Sequence, residues 1–236
     1  KEECGVFGIS NTPEASTLTA LGLHALQHRG QEGCGIVSFD GKNFHSEKRN
    51  GLVGDNFTNK DILKKLPGNY AIGHNRYSTT GETSLRNIQP FFADLYGGGI
   101  SIAHNGNLTN TEELAREAGM LPGTITSDSD LVAELIANQI GHESNHNASD
   151  GRELERGLVK ILPKLEGAFS FVLMDEAHII GVRDPNGFRP LCLGKLDNGW
   201  VLASETPALD IIGAHFVREI DPGEMVVISA TGVRSI

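Results

Sequence analysis

No stretch of this chain is apolar over the ~20 residues that a membrane-spanning helix requires, so a helical membrane span is excluded. Positive charge is short as well. Lys and Arg number 20 against 30 Asp and Glu, a formal net charge of −10. No basic cluster is dense enough to follow a phosphate backbone, which excludes nucleic acid as a partner. Cysteine is scarce: Cys4, Cys34 and Cys192 are odd in number, widely spaced, and form no Cys-x-x-Cys. That excludes a disulfide framework and suits a reducing cytoplasm. His142 and His146 lie four apart in a polar stretch without a third ligand nearby, so no metal site is expected. There is no internal repeat and no low-complexity tract.

What is present is the composition of an ordinary globular domain, 39% hydrophobic and 21% charged over 236 residues. Glycine is abundant, at 29 residues without a period, which favours tight turns and close backbone approaches. Val6 to Ile9 reads as a first short strand. Apolar positions recur at helical spacing from Thr17 to His28, with Gly30 as the C-cap. Strands are expected at Gly33–Phe39 and Tyr70–His74, and a short helix at Asp61–Leu66 stopped by Pro67. G-G-G-I-S-I-A-H-N-G-N-L reads as a turn, a strand and a second sharp turn. Helices are expected at Thr111–Ala118 and at Asp128–Gln139, the latter capped by S-D-S-D. Gly141–Arg152 is polar and reads as a loop, and Leu154, Leu158, Ile161 and Leu162 mark another helical face. From Phe169 onward short β segments alternate with turns, interrupted by a helix near Pro207–Ile212. Strands at both ends with helices between predict one α/β domain of two packed sheets covered by helices.

Five stretches can carry chemistry, and each has a plainer meaning beside it. Cys4 is either packing at the start of a strand or a nucleophile. A thiol attacks as thiolate and needs a base. If the bond after Glu3 were cut, the freed α-amine of Cys4, with a reference pKa of ~7.7–8.0, would supply one. Q-H-R-G-Q-E-G, from Gln27 to Gly33, sets Arg29 at a helix end. G-H-N-R-Y-S-T-T-G puts Arg76 and Thr79 in a glycine-bounded, hydroxyl-rich loop. An Arg fork there matches a small carboxylate, though a surface Arg in a turn fits as well. A-H-N-G-N-L offers the Asn105 amide and the Gly106 N–H as an oxyanion hole, or an ordinary Asn-Gly turn. S-D-S-D, containing Asp128, can anchor an ammonium group or simply cap a helix.

Taken in order, C-G-V-F-G, Q-H-R-G-Q-E, G-H-N-R-Y-S-T-T-G, H-N-G-N-L, S-D-S-D and R-D-P-N-G-F-R-P-L resemble the class II glutamine amidotransferase domain, an N-terminal-nucleophile hydrolase. Within that class the resemblance is to the amidophosphoribosyltransferase family, and it covers essentially the whole chain. H-R-G-Q-E stands where glucosamine-6-phosphate synthases have Y-R-G-Y-D and asparagine synthetases H-R-G-P-D.

The resemblance implies a four-layer α/β/β/α sandwich of two mainly antiparallel sheets. It implies that Cys4 attacks the side-chain amide of glutamine, with its own α-amine as proton shuttle. Asn105 and Gly106 would stabilise the oxyanion. Arg76, helped by Thr79, would hold the substrate carboxylate, Asp128 the ammonium, and Arg29 would brace the site. Lys1 to Glu3 then read as the remnant of a propeptide, and residues 4–236 as the glutaminase domain. Full-length family members carry a phosphoribosyltransferase domain as ammonia acceptor, and no sequence feature here corresponds to it. Some also hold an iron–sulfur cluster through that missing part, so no cofactor is expected in this chain. A homo-oligomer stays open. So does a catalytically silent form, either an unprocessed precursor or a module dependent on its acceptor.

Overall fold

Alternation decides which face each strand buries, and the first strand, β1 (Gly5–Ile9), sets the pattern. Phe7 and Ile9 join an apolar cluster beneath helices, whereas Val6 packs between two sheets. The structure, a computed structural model, describes residues 4–77, 85–95, 98–120, 127–144 and 151–236, with residues 142–144 described by their backbone alone.

Within these residues the strands after β1 are β2 (Gly33–Phe39), β3 (Phe44–Asn50), β4 (Tyr70–Arg76), β5 (Phe91–Leu95) and β6 (Gly98–Leu108). The later ones are β7 (Gly167–Met174), β8 (Ile179–Arg183), β9 (Cys192–Lys195), β10 (Trp200–Ala203), β11 (His215–Glu219), β12 (Met225–Ser229) and β13 (Gly232–Ser235). One sheet runs β11-β9-β10-β1-β4-β2-β3 and the other β13-β12-β8-β7-β6-β5, with every pairing antiparallel.

The helices are α1 (Ala15–Ala25), α2 (Val53–Asn56), α3 (Lys60–Leu63), α4 (Thr111–Glu117), α5 (Asp128–Ser144), α6 (Glu153–Ile161) and α7 (Pro207–Asp210). Ala15, Leu23 and Ala208 from α1 and α7 pack on Phe7, Ile9 and Ile36 of the first sheet. Leu131, Ile136, Leu154 and Leu158 from α5 and α6 pack on Ile102, Phe169 and Phe171 of the second. Val6, Ile72 and Leu202 meet Ala103, Val172 and Met174 in the middle layer. The result is the expected α/β/β/α sandwich.

Three local expectations are corrected. The chain does not turn at H-N-G-N-L: β6 runs straight through it, pairing Asn105 with Ser170 and Gly106 with Phe169. Gly106 has φ +140°, and a Cβ there would overlap the carbonyl oxygen of Ala168. The glycine answers a tight ladder, not a hairpin. The first helix ends at Ala25 and a 3₁₀ turn covers Gln27–Arg29. Gly30 is extended rather than a left-handed cap, and its missing Cβ lets the chain pass against the backbone of Arg76 and Tyr77. The third concerns the helix opened by S-D-S-D, which continues to Ser144, into the stretch read as a loop. Its cap is Ser127, whose Oγ accepts the Asp130 N–H at 3.2 Å.

Candidate active site

Cys4 immediately precedes β1 and shares the parity of Val6, so it faces the layer between the sheets. Its Sγ lies 3.5 Å from the Tyr77 N–H nitrogen and 3.8 Å from the Tyr77 carbonyl oxygen. Burial pushes the thiol up. The Tyr77 backbone hydrogen bond and the charges of Arg76 and Arg29 draw it back without cancelling that effect, and Asp128 adds to it. A protonated thiol therefore waits at rest, and attack requires a base that arrives with the reaction. The same influences show that Arg76, Arg29 and Asp128 all lie within electrostatic reach of the sulfur. The other thiols differ: Cys34 and Cys192 are buried among apolar neighbours and pushed up to about 12, as core residues.

Arg29 is 4% exposed, and its Nε donates to the Cys4 carbonyl at 2.9 Å. Its guanidinium pairs with Glu205, whose other oxygen sits 2.8 Å from His28 Nε2. Burial raises the Glu205 carboxyl, but the hydrogen bonds from Arg29 and His28 outweigh it and hold it below the usual range. Arg29 thus fixes the main chain of the cysteine rather than its sulfur.

Arg76 ends β4, where the parity of Ile72 turns it toward the inter-sheet layer. Its Nη1 donates to the Asn87 carbonyl. Its buried Nε finds no partner among the described residues. Thr79 lies outside the described residues. Asn105 is fully buried, and neither Oδ1 nor Nδ2 finds a partner among the described residues. That leaves amide hydrogen-bonding capacity aimed into the inter-sheet layer. Because Ser127 caps α5, the Asp128 carboxylate is left to accept from Leu108 N–H at 3.1 Å and Ser129 N–H at 2.8 Å. Its side chain keeps 23% exposure, enough to meet a ligand.

The R-D-P-N-G-F-R-P-L stretch is a turn that organises the second sheet. Buried Asp184 accepts the N–H groups of Phe169, Asn186, Phe188 and Arg189 at 3.0–3.3 Å. Arg183 donates to the carbonyls of Arg189, Ile220 and Gly187 at 2.7–2.9 Å. Phe169 is the cross-strand partner of Gly106, so this turn braces the strand behind the Asn-Gly pair. Sequence reasoning missed Glu205 and Tyr77. Tyr77 sits inside a quoted motif, while Glu205 carries no signal beyond following W-V-L-A-S.

Together these features combine a thiol at the head of a central strand, a buried amide that finds no partner among the described residues and faces the same inter-sheet layer, and separate cationic and anionic groups. Two facing antiparallel sheets between helices are the fold of the N-terminal-nucleophile hydrolases, the class to which the glutamine amidotransferase domain belongs. The family model described as the glutamine amidotransferase domain matches residues 74–211, and the chain belongs to that family. Its curated relatives include amidophosphoribosyltransferases. Those of Rhizobium etli and Mycobacterium leprae are 51% and 48% identical over 96% and 100% of this chain. The match spans only 44% and 42% of their own lengths. The structure of glutamine phosphoribosylpyrophosphate amidotransferase from B. subtilis, complexed with ADP and GMP, is 40% identical with a TM-score of 0.85. That match covers 99% of this chain and 49% of that one. A class-II domain protein from Silicibacter pomeroyi, 13% identical with a TM-score of 0.60, shares the fold alone.

Proposed function

We propose that this domain hydrolyses the side-chain amide of glutamine to glutamate and ammonia through a thioester on Cys4. The observation that carries the reading is that a Cys4 thiol whose pKa burial raises and the fully buried amide of Asn105, partnerless among the described residues, both face the layer between the sheets. Removal of Lys1 to Glu3 frees the α-amine of Cys4, which takes the thiol proton as sulfur attacks the amide carbon. Asn105 and the Gly106 N–H receive the negative charge of the tetrahedral oxygen. The amine returns the proton to the departing nitrogen, ammonia leaves, and water opens the thioester to glutamate. Arg76, with Thr79, holds the substrate carboxylate. Asp128 holds the ammonium, and Arg29 anchors the Cys4 main chain. Fixing both ends of the amino acid places the amide over sulfur, an orientation effect. This chemistry needs no cofactor.

In the whole protein the ammonia passes to a phosphoribosyltransferase domain and is used to form phosphoribosylamine for purine synthesis. The resemblance of the motifs and the greater length of the relatives support that part of the reading. A cytoplasmic location suits the three free thiols, and among the described residues no helix is long and apolar enough to cross a membrane.

The test joins intact mass to glutamine-dependent ammonia release. Loss of the first three residues together with turnover, the turnover abolished in Cys4→Ala, is the expected result. Turnover that survives Cys4→Ala removes the nucleophile assignment. A processed chain that releases no ammonia at high glutamine favours an acceptor-dependent module.

A further inference from the structure

Gln89, His104 and Ser129 meet in a sealed layer between β6 and the start of α5, at 9%, 2% and 2% exposure. Gln89 uses both ends of its amide. Its Oε1 accepts the main-chain N–H of His104 at 2.7 Å, and its Nε2 donates to Ser129 Oγ at 3.1 Å. His104 Nδ1 lies 2.8 Å from the same hydroxyl, which stands 3.3 Å from Asp128 Oδ1. His104 directly precedes Asn105, and Ser129 directly follows Asp128. The cluster therefore ties the strand that offers the oxyanion donor to the helix end that offers the carboxylate.

Proton counting gives the cluster a direction. Burial pushes His104 down against the pull of Asp128, so its ring is neutral and carries one proton. A serine hydroxyl has one proton and two lone pairs, and the Gln89 amide can only donate to it. With the ring proton on Nδ1, His104 also donates, and the one hydroxyl proton points at Asp128. The other tautomer draws that proton to Nδ1 and turns an oxygen lone pair toward a carboxylate 3.3 Å away. The carboxylate selects the first arrangement.

We propose that Gln89, His104 and Ser129 are positioning residues that hold the Asp128 carboxylate in register with Asn105, and so set the preference for amides bearing an α-ammonium group. The proposal rests on the reading of Asp128 as the ammonium site. None of the three touches substrate. Their effect is confined to the end of the amino acid remote from the reacting bond.

The test uses two reagents that alkylate the nucleophilic thiol and differ only in the ammonium group: 6-diazo-5-oxo-L-norleucine and 6-diazo-5-oxohexanoate. Labelling of Cys4 in the processed protein is followed by intact mass, and thermal melting checks the fold. Ser129→Ala is expected to slow the amino reagent about tenfold, the effect of one charge-assisted hydrogen bond, and the other reagent less than about twofold. Gln89→Glu keeps the acceptor for His104 N–H but replaces the donor facing Ser129 with a carboxylate, and is expected to show the same split. Equal slowing of both reagents, or slowing of neither, overturns the proposal. Asp128→Asn separates the two levels of argument. If it fails to discriminate between the reagents, the ammonium reading falls. If it discriminates while Ser129→Ala and Gln89→Glu do not, only the positioning role falls.

Discussion

Asn105 and Ser170 face one another across the β6–β7 ladder, on the side turned toward the other sheet, both fully buried. The Asn105 amide and Ser170 Oγ have no hydrogen-bond partner among the described residues. Buried polar groups are normally paired, because an unpaired one loses its water without compensation. A substrate oxyanion supplies the missing partner of Asn105. Asn105→Ala is therefore expected to lower kcat by on the order of 10²–10³ with KM little changed, and to leave the melting temperature level or raised. Steady-state kinetics and a thermal melt decide it. A loss smaller than about tenfold removes Asn105 from oxyanion stabilisation.

Gly106→Ala should act on the fold rather than on chemistry alone. The residue sits at φ +140°, which costs a side-chain-bearing residue about 1–3 kcal/mol, and its Cβ would overlap the Ala168 carbonyl. Urea denaturation should show a lower midpoint, in contrast to Asn105→Ala. An unshifted midpoint would show that the β6–β7 ladder relaxes around a methyl group there.

That contrast also shows what a sequence can hold. Asn-Gly is a turn signal when read locally, and the H-N-G-N-L stretch was expected to turn. The glycine is required by the carbonyl of Ala168, on a strand 62 positions later, which no local pattern reveals. Cys4, Arg29, Arg76 and Asp128 were legible because each sits in a motif whose order survives in the chain, and the sulfur lies within reach of all three charges. Glu205, Gln89 and Ser129 were not singled out, since a polar residue acquires its meaning from partners distant in sequence. The strand β3, F-H-S-E-K-R-N, was missed because it is a sheet edge and half-exposed, with too few apolar positions to alternate.

Glu205 gives the next prediction. It neutralises Arg29, a guanidinium at 4% exposure whose Nε holds the Cys4 carbonyl. Glu205→Gln removes one carboxylate from beside that charge and is expected to cost on the order of 1 kcal/mol, well below the fully buried case because Glu205 itself reaches solvent. Turnover should fall with stability, as the Cys4 main chain loosens. A variant as stable as the parent would show that the amide oxygen and solvent replace the carboxylate.

Arg76→Ala should separate binding from chemistry. Its guanidinium lies at the inter-sheet end of β4 near the sulfur, and its Nη1 is held by the Asn87 carbonyl. Losing the carboxylate clamp is expected to raise KM for glutamine by on the order of tenfold or more, the value of a charge-assisted hydrogen bond, with kcat falling less. An unchanged KM removes Arg76 from carboxylate recognition.

Acid should weaken the fold in two stages, and His74 governs part of the first. It is fully buried in β4, with Nε2 3.0 Å from the His104 carbonyl oxygen. Burial pushes its pKa down to about 3, against the raising effect of that hydrogen bond, from the ordinary 6.5. Between these values the unfolded chain binds a proton that the native protein refuses. Stability is therefore fully present above 6.5 and is lost as pH falls toward 3, at up to about 1.4 kcal/mol per pH unit. His104, also pushed down by burial, acts in the same direction. His178 is raised through its hydrogen bond with Asp175, so it is protonated in both states below 6.5 and adds no slope there. The second stage begins below the usual carboxylate range. Glu224, held near 2 chiefly by its hydrogen bond with Arg218, contributes stability above 4.5 that disappears as pH falls from there. Urea midpoints taken from about pH 6.5 to 5 isolate the first stage. His74→Gln retains a donor for the His104 carbonyl but cannot titrate, so its stability should fall less steeply with acid than the parent's, by close to one proton's worth. A variant with the parent's slope would mean that His74 takes up its proton without unfolding the protein.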